Sequence, residues 1–175
     1  ECLYHVPDGA NATDIQPLLA DGPPEFSEDG LTVTVKLKQG VKFHTSGNVM
    51  TAADWIFSFN RCKNIGYQPS FLAIDYWTNV EAVDDATLKF TLASPNAALA
   101  AVLTSLPLAV TDSKAVAALG GTDAPPSMTP AEGSDDKAPE VTANEEAKAL
   151  IDAASVGTGP YKLVQWDVNS ECIVE

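Results

Sequence analysis

The chain has 175 residues, of which 45% are hydrophobic and 19% are charged, and these proportions are those of an ordinary globular domain. Acidic residues number 24 against 10 basic ones, and the net charge of −14 argues against nucleic acid or an anionic membrane surface as a partner, since both attract basic patches. The chain begins at Glu1 and has no apolar run of the length of a signal peptide or a membrane span, so we expect it to be a piece of a longer protein.

Residues 27–61 carry the clearest structural pattern, a strand followed by a loop and a helix. Apolar and polar residues alternate between positions 31 and 38, which predicts a strand with one buried face. Thr51 is placed to cap a helix, and Asp54 completes a short-armed capping box three residues later. The helix then presents one apolar face, made of Trp55, Ile56 and Phe59.

A connection rich in aromatic residues and then a hairpin follow this helix. The connection covers residues 65–77. We expect it to be held on the core by three apolar side chains, Phe71, Ile74 and Trp77. Residues 80–83 and 87–92 alternate around an Asp-Asp turn, which predicts the two strands of a hairpin.

Helical signals return in the second half of the chain. Ser94 and Pro95 predict an N-cap and a first helical residue, and an apolar stripe over residues 99–106 lies on this helix. Thr111 or Asp112 opens a shorter helix, which a pair of glycines ends.

Residues 122–142 differ from the rest of the chain in composition. Proline, glycine, serine and acidic residues dominate, and almost no large apolar side chain is present. Because such a segment cannot bury enough surface to offset its ordering entropy, we expect a flexible, acidic, proline-rich loop. A short helix capped by Asn144 is predicted after it, and residues 157–175 are predicted to form a hairpin.

Residues 27–61 resemble the signature region of family 5 extracellular solute-binding proteins, the oligopeptide-, dipeptide- and nickel-type receptors of ABC importers. The resemblance rests on an Asp-Gly turn, a threonine-rich strand, Gly-Val-Lys-Phe-His at 40–44 and Thr-Ala-x-Asp at 51–54, in that order. Gly-Thr-Gly-Pro-Tyr-Lys-Leu at 157–163 resembles a second signature of the family. Where relatives have Phe-His-Asp-Gly-x-Pro before Thr-Ala, the loop at 43–50 is one residue longer and lacks the acid.

The resemblance implies a fold and a division into domains. It predicts an α+β module in which three or four helices pack on a mixed or antiparallel sheet. This module corresponds to domain II of a periplasmic-binding-protein-like fold of class II, cluster C type. Residues 1–156 would form the module, including the loop at 122–142, and residues 157–175 would form a hairpin that returns toward domain I.

The same resemblance implies a non-catalytic transport function. We expect part of an extracytoplasmic receptor, either periplasmic or a cell-surface lipoprotein, that delivers oligopeptides to the membrane permease of an ABC importer. Two lobes would close around the solute without any bond being made, and no cofactor or metal would be needed. Two alternatives stay open: the same receptor with non-peptide cargo such as nickel, haem or an oligosaccharide, and a structural or interaction module.

The family also suggests candidate ligand contacts, because the segment after the first helix approaches the ligand cleft in peptide-binding relatives. In this chain the candidates are Tyr67, Phe71 and Tyr76, with attachment of the segment to the core as the alternative role. Most ligand contacts in relatives come from the other two domains. We therefore expect this piece to be a monomer that binds peptides no more tightly than millimolar.

His44, Asp54 and Ser58 are the residue types of a catalytic triad, yet each has a structural explanation. Asp54 and Ser58 lie one turn apart on the capped helix, and His44 belongs to the Lys-Phe-His segment of the family. The sequence has no G-x-S-x-G motif, no paired metal ligands and no phosphate-binding loop. We therefore predict that the chain is not an enzyme.

Three cysteines, Cys2, Cys62 and Cys172, have no spacing typical of a zinc site. Free or buried thiols are one interpretation. The other is a single disulfide, which an extracytoplasmic compartment permits. Cys2 and Cys172 are the candidate pair, because they lie in apolar segments at the two ends of the chain, which would be adjacent if the termini meet.

Overall fold

The computed structural model describes residues 1–65, 68–125, 128–129, 140–141, 150–151, 153–167 and 169–175. Its strands are β1 (Tyr4–His5), β2 (Gln16–Pro17), β3 (Glu25–Phe26), β4 (Thr32–Lys36), β5 (Asn79–Asp84), β6 (Thr87–Thr91), β7 (Met128–Thr129), β8 (Glu140–Val141), β9 (Leu163–Asp167) and β10 (Glu171–Val174). Its helices are α1 (Ala52–Ile65), α2 (Phe71–Ile74), α3 (Leu99–Val102) and α4 (Ser113–Ala118), with 3-10 turns at Gln68–Ser70 and Leu106–Leu108. Within these ranges, no helix has the length and apolar character that crossing a membrane requires.

The centre of the fold is an antiparallel four-stranded sheet in the order β3-β4-β6-β5. Val33 pairs with Phe90 and Val35 pairs with Leu88, and all four side chains are fully buried. Residues directly opposite each other on antiparallel strands project to the same face, so the alternation in the two strands builds one continuous apolar surface. The strand and the hairpin predicted from this alternation are confirmed.

Helix α1 covers the apolar face of the sheet through a cluster of aromatic rings. The ring of Phe59 lies 5.8 Å from Phe90 and 5.3 Å from Trp77, and Trp77 lies 5.3 Å from Phe90, measured between ring centroids. Trp55 is fully buried on the same helix, 5.6 Å from Phe59. Tilted and edge-on contacts at these separations are favourable for aromatic rings. The predicted α+β arrangement of helices on an antiparallel sheet is therefore present.

The helix predicted after Ser94 is shorter than its sequence indicates. Only Leu99–Val102 is α-helical, and Leu106, which was expected on the buried stripe, is 81% exposed. The side chain of Asn96 accepts a hydrogen bond from the backbone N–H of Ala98 at 2.9 Å, which forms a local turn. Asparagine side chains that bond their own backbone compete with helix formation, and this delays the start of the helix.

Within the segment at 122–142, which was predicted to be a flexible loop, β7 pairs with β8 in an antiparallel two-stranded sheet. The remainder of the predicted loop at 126–127, 130–139 and 142 lies outside the described residues, as does most of the helix predicted after Asn144.

The end of the chain forms the predicted hairpin, with β9 antiparallel to β10. Lys162 and Glu175 close it by exchanging two backbone hydrogen bonds of 2.8 and 3.0 Å. The backbone N–H of Leu163 donates to Ser155 Oγ at 3.1 Å and joins the hairpin to the preceding segment. In the described part of the chain, β9 and β10 pair only with each other.

Candidate functional site

The three candidate ligand contacts have different surroundings. Tyr67 lies outside the described residues. Phe71 opens α2 and is 49% exposed, and Ile74, one turn later, is 50% exposed. Tyr76 is half-buried and packs against the core. The expectation that Phe71 and Ile74 hold the connection on the core is therefore wrong, because buried Trp77 and Ala73 attach it and leave Phe71 available at the surface.

The depressions in the structure include three that are lined by described residues. A groove of about 580 Å³ runs past the end of β4 and the β5–β6 turn, with Lys36, Lys38, Asp84 and Asp85 in its wall. A second groove, of about 530 Å³, lies between α1 and β5. The third is a mainly apolar cavity of about 250 Å³ beside α4 and residues 154–156. Neither Phe71 nor Tyr76 lines any of the three depressions, so none of these depressions extends the candidate ligand surface.

Asp112 is the centre of a buried polar junction beside the apolar cavity. Its side chain is 1% exposed and caps α4: Oδ1 accepts from the backbone N–H groups of Lys114 at 3.1 Å and Ala115 at 3.0 Å. This satisfies two of the N–H groups that the first turn of a helix leaves without an intrahelical acceptor. The sequence left this N-cap open between Thr111 and Asp112, and the structure assigns it to Asp112.

The other oxygen of Asp112 reaches the loop at 43–48. Oδ2 accepts from Ser46 Oγ at 2.5 Å and from Asn48 Nδ2 at 2.9 Å. Burial raises the pKa of Asp112, but the hydrogen bonds from Ser46, from Asn48 and from the capped backbone lower it by more, so the pKa lies below its ordinary value. Sequence reasoning missed this contact, because Ser46 and Asp112 are 66 residues apart and no local pattern links the loop at 43–50 to the start of α4.

Asp54 is a second buried carboxylate and joins the starts of two helices. Oδ2 accepts from the backbone N–H of Thr51 at 2.9 Å and from its hydroxyl at 3.0 Å. Oδ1 accepts from Ser113 Oγ at 2.6 Å and from the Ser113 backbone N–H at 3.2 Å. The reciprocal half of a capping box is thus present at α1, and the same carboxylate also fixes the first residue of α4.

These arrangements are structural rather than catalytic. Ser58 Oγ donates to the backbone carbonyl of Asp54 at 2.7 Å. Both carboxylate oxygens of Asp54 accept hydrogen bonds from Thr51 and Ser113. His44 Nδ1 lies 3.2 Å from the neighbouring Thr45 Oγ1. A nucleophile needs a base within hydrogen-bond reach, and none of the contacts just given joins Ser58 to His44. Among the described residues, no group of three or more His, Cys, Asp and Glu could hold a metal ion.

The structure holds all three cysteines as free thiols. Cys2 is buried and its thiol donates to the backbone carbonyl of Ser105 at 3.4 Å, whereas Cys172 is exposed on β10. Burial raises the pKa of the Cys2 thiol. The candidate disulfide between Cys2 and Cys172 is therefore not formed here, because one cysteine belongs to the core and the other to the surface of the terminal hairpin.

A sequence profile described as "Bacterial extracellular solute-binding proteins, family 5 Middle" matches residues 14–175. The chain is similar to Heme-binding protein A of Haemophilus influenzae, with 38% identity over 109 residues, which cover 53% of this chain and 20% of the relative. It is also similar to Glutathione-binding protein GsiB of Pectobacterium atrosepticum, with 33% identity over 155 residues, which cover 86% of this chain and 24% of the relative.

Among solved structures, the fold is similar to the ABC transporter-associated periplasmic binding protein DppA from Helicobacter pylori in complex with the peptide STSA. The TM-score is 0.72 at 24% identity, covering 99% of this chain and 32% of that one. This likeness confirms the predicted fold class. The chain spans 20% and 24% of the two curated relatives, so it corresponds to about a quarter of their length.

The comparisons agree with the resemblance seen in the sequence. The relatives are binding proteins, in line with the prediction that the chain is not an enzyme. The family profile extends from Asp14 to the last residue and therefore covers most of the chain, including both signature regions at 27–61 and 157–163. The chain belongs to family 5 of the bacterial extracellular solute-binding proteins.

Proposed function

We propose that the chain is part of an extracytoplasmic receptor that binds an oligopeptide and delivers it to the membrane permease of an ABC importer. The observation that carries this proposal is the family match over residues 14–175. The peptide cargo is supported by two similar proteins, one in complex with the peptide STSA and one named for glutathione, which is itself a small peptide. The mechanism is closure of two lobes around the solute, driven by tighter binding in the closed state.

The division of the chain supports a role as one part of a larger receptor. We propose that residues 1–156 form a domain II-like module and that residues 157–175 return toward domain I. The module has its own aromatic core around Phe59 and Phe90. The hairpin, in contrast, exposes large apolar side chains on both strands, including Trp166 at 56% and Ile173 at 41%. Exposed apolar surface of this kind is typical of an interface with further protein.

Within the module, we propose Phe71 as the leading candidate for a ligand contact. Tyr76 is the second candidate and Tyr67 is the third. Phe71 is an exposed aromatic residue on a short helix, which suits stacking or apolar contact with a peptide side chain. The test uses the longer receptor that contains this chain. Phe71→Ala should weaken peptide binding in calorimetry, whereas Phe26→Ala, which removes another half-exposed phenylalanine, should not. Equal affinities for both variants and the parent receptor would exclude Phe71.

The cargo itself is tested by native mass spectrometry of the longer receptor purified without denaturation. A series of bound masses that differ by amino-acid residues is the expected result. A single non-peptide adduct would overturn the peptide assignment and leave the receptor role in place. The 175-residue chain alone should bind peptides no more tightly than millimolar. Micromolar binding in calorimetry would contradict the proposal that most ligand contacts come from the rest of the receptor.

Haem is the second candidate cargo, because Heme-binding protein A of Haemophilus influenzae is 38% identical over 109 residues. A haem-loaded receptor would show a Soret absorbance band that is lost on extraction of the haem.

For location, we propose a periplasmic protein or a cell-surface lipoprotein, and we propose a monomeric state for this piece.

A further inference from the structure

The two carboxylate oxygens of Asp112 have separate roles. Among the described residues, Oδ1 faces the helix and accepts from the backbone N–H groups of Lys114 and Ala115. Oδ2 faces the loop at 43–48 and accepts, within the same part of the chain, from Ser46 Oγ and Asn48 Nδ2. A single buried group therefore connects an exposed loop to the start of a helix, and the two connections can be broken independently.

The same two elements hold the segment that leads into the terminal hairpin. The backbone N–H of Asp112 donates to the carbonyl of Val156 at 2.8 Å, and the backbone N–H of His44 donates to the carbonyl of Gly157 at 3.3 Å. One hydrogen bond comes from the helix start and the other from the loop. Both elements are thus bonded to segment 154–158, and Thr158 Oγ1 accepts a third hydrogen bond, from the N-terminal amine of Glu1 at 3.3 Å.

Asp112 is well suited to keep them together. Its side chain is 1% exposed, and hydrogen bonds to a buried ionised group are stronger than those between neutral groups. Within the loop, Gly47 donates to the carbonyl of Phe43 at 2.8 Å and Phe43 to the carbonyl of Asn48 at 3.0 Å, so the loop is a compact turn that can move as one piece. The ties to Asp112 connect this turn to α4.

We propose that Asp112 is a positioning residue that clamps the loop at 43–48 and segment 154–158 to the module, and so fixes the direction in which the terminal hairpin leaves it. The hairpin carries Tyr161, Trp166 and the other exposed apolar side chains. The clamp therefore sets how that surface is presented to whatever covers it. This inference does not depend on the cargo and stands or falls separately from the receptor function.

The decisive variant is Asp112→Asn. Asparagine is as good an N-cap as aspartate, so its Oδ1 can still accept from Lys114 and Ala115. Its amide nitrogen, however, is a donor and cannot accept from Ser46 or Asn48. The two charge-assisted hydrogen bonds of the clamp are therefore lost while the cap stays in place, and a reversed contact in which the amide donates to Ser46 Oγ would lack the charge. The measurement is amide hydrogen exchange of the 175-residue chain followed residue by residue by NMR.

We expect exchange at residue 112 and at His44 to become about tenfold faster or more, the effect of losing hydrogen bonds to a charged group. Exchange at Lys114 and Ala115, and in the central strand β4, should stay within about twofold of the wild-type chain, since neither the cap nor the sheet is touched. The exchanged pair Asp112→Asn with Asn48→Asp reverses donor and acceptor across the same contact and should restore slow exchange at His44.

Two further variants make the test specific. Asn48→Ala removes a donor from the loop side, leaves Asp112 intact, and should show the same selective pattern; it also replaces Asp112→Asn if that variant fails to fold. Asp29→Asn is the matched control, because Asp29 accepts from Ser27 Oγ at 2.6 Å in an exposed turn. It should leave exchange at His44 unchanged.

Two results would overturn the proposal. In the first, residue 112 and His44 exchange at the wild-type rate in Asp112→Asn and in Asn48→Ala, so the loop is held without the carboxylate. In the second, every amide accelerates together, including those of Lys114, Ala115 and β4. Asp112 would then stabilise the whole module and would not position one segment.

Discussion

The central pair β4–β6 and the terminal pair β9–β10 are both antiparallel and both rich in apolar residues, yet their burial is opposite. Four apolar side chains of the central pair are 0% exposed: Val33, Val35, Leu88 and Phe90. Four of the terminal pair are between 41% and 58% exposed: Val164, Trp166, Ile173 and Val174. Strand pairing alone therefore does not bury apolar residues in this molecule.

The two pairs differ in burial because only the central pair has a helix packed on its apolar face among the described residues. The central pair is covered by α1 and by the ring cluster around Phe59 and Trp77. Burying a large apolar side chain contributes roughly 1.5–3 kcal/mol relative to leaving it exposed, so a covered strand stabilises the module and an uncovered one adds little. An isolated two-stranded hairpin is marginally stable in water. The terminal pair is therefore held mainly at its base, through Ser155 and the clamp at Asp112.

The largest effect should come from the centre of the covered pair. Phe90→Ala removes a fully buried ring that contacts Phe59 and Trp77, and we expect the free energy of unfolding to fall by about 3–5 kcal/mol. Urea unfolding followed by circular dichroism measures the change. Val164→Ala in β9 is the control, since that residue is 58% exposed and should change stability by less than about 0.5 kcal/mol. Similar losses in both variants would contradict the comparison.

A smaller loss is expected where the covering helix begins. Asp54→Ala removes the acceptor that joins Thr51 to Ser113, and we expect a loss of about 2–3 kcal/mol, because a cap is lost and buried donors are left without a partner. Asp84→Ala is the matched control: its carboxylate also accepts a backbone N–H, from Ala86 at 2.8 Å, but in an exposed turn. If the two variants unfolded at the same urea concentration, burial of Asp54 would not matter.

Because the clamp below the uncovered hairpin contains an ionised carboxylate, the free energy of unfolding should depend on pH in the acidic range. The pKa of Asp112 in the folded chain lies below the ordinary value of 3.8, so the ionised form is favoured by folding. This contribution is fully present above pH 3.8 and is lost as the pH falls through the lowered pKa. Urea midpoints measured from pH 6 downward should fall less steeply below this value for Asp112→Asn than for the wild-type chain. Parallel profiles would show that Asp112 carries no such contribution.

The covered half of the molecule could be predicted from the sequence because its signals are local. Alternation at 31–37 and 87–92 determines which side chains face inward, and the helix predicted to open at Thr111 or Asp112 has Asp112 as its N-cap. The failures involve competition or distance. Asn96 shortened a helix that the apolar stripe supported, and the pattern around Phe71 did not decide between packing on the core and exposure as a ligand contact.

Less of the candidate site than of the fold could be predicted from the sequence. The family resemblance at 27–61 gave the function class, but it placed no ligand atom against any side chain. The tie between Ser46 and Asp112 spans 66 residues and joins two ordinary polar residues. A contact of this kind depends on the packing of the whole module, and periodicity within one element carries no information about it.

The smallest effect in the chain should become a large one in the longer receptor. Trp166 is 56% exposed, so Trp166→Ala should cost less than about 0.5 kcal/mol in the 175-residue chain. If β9 and β10 return toward domain I, the same ring will be covered there, and its removal should cost about 3–5 kcal/mol. Urea unfolding of both proteins, with and without the substitution, gives the two values. A cost below 0.5 kcal/mol in both would mean that the hairpin stays uncovered, and the terminal pair would then be a surface for another partner.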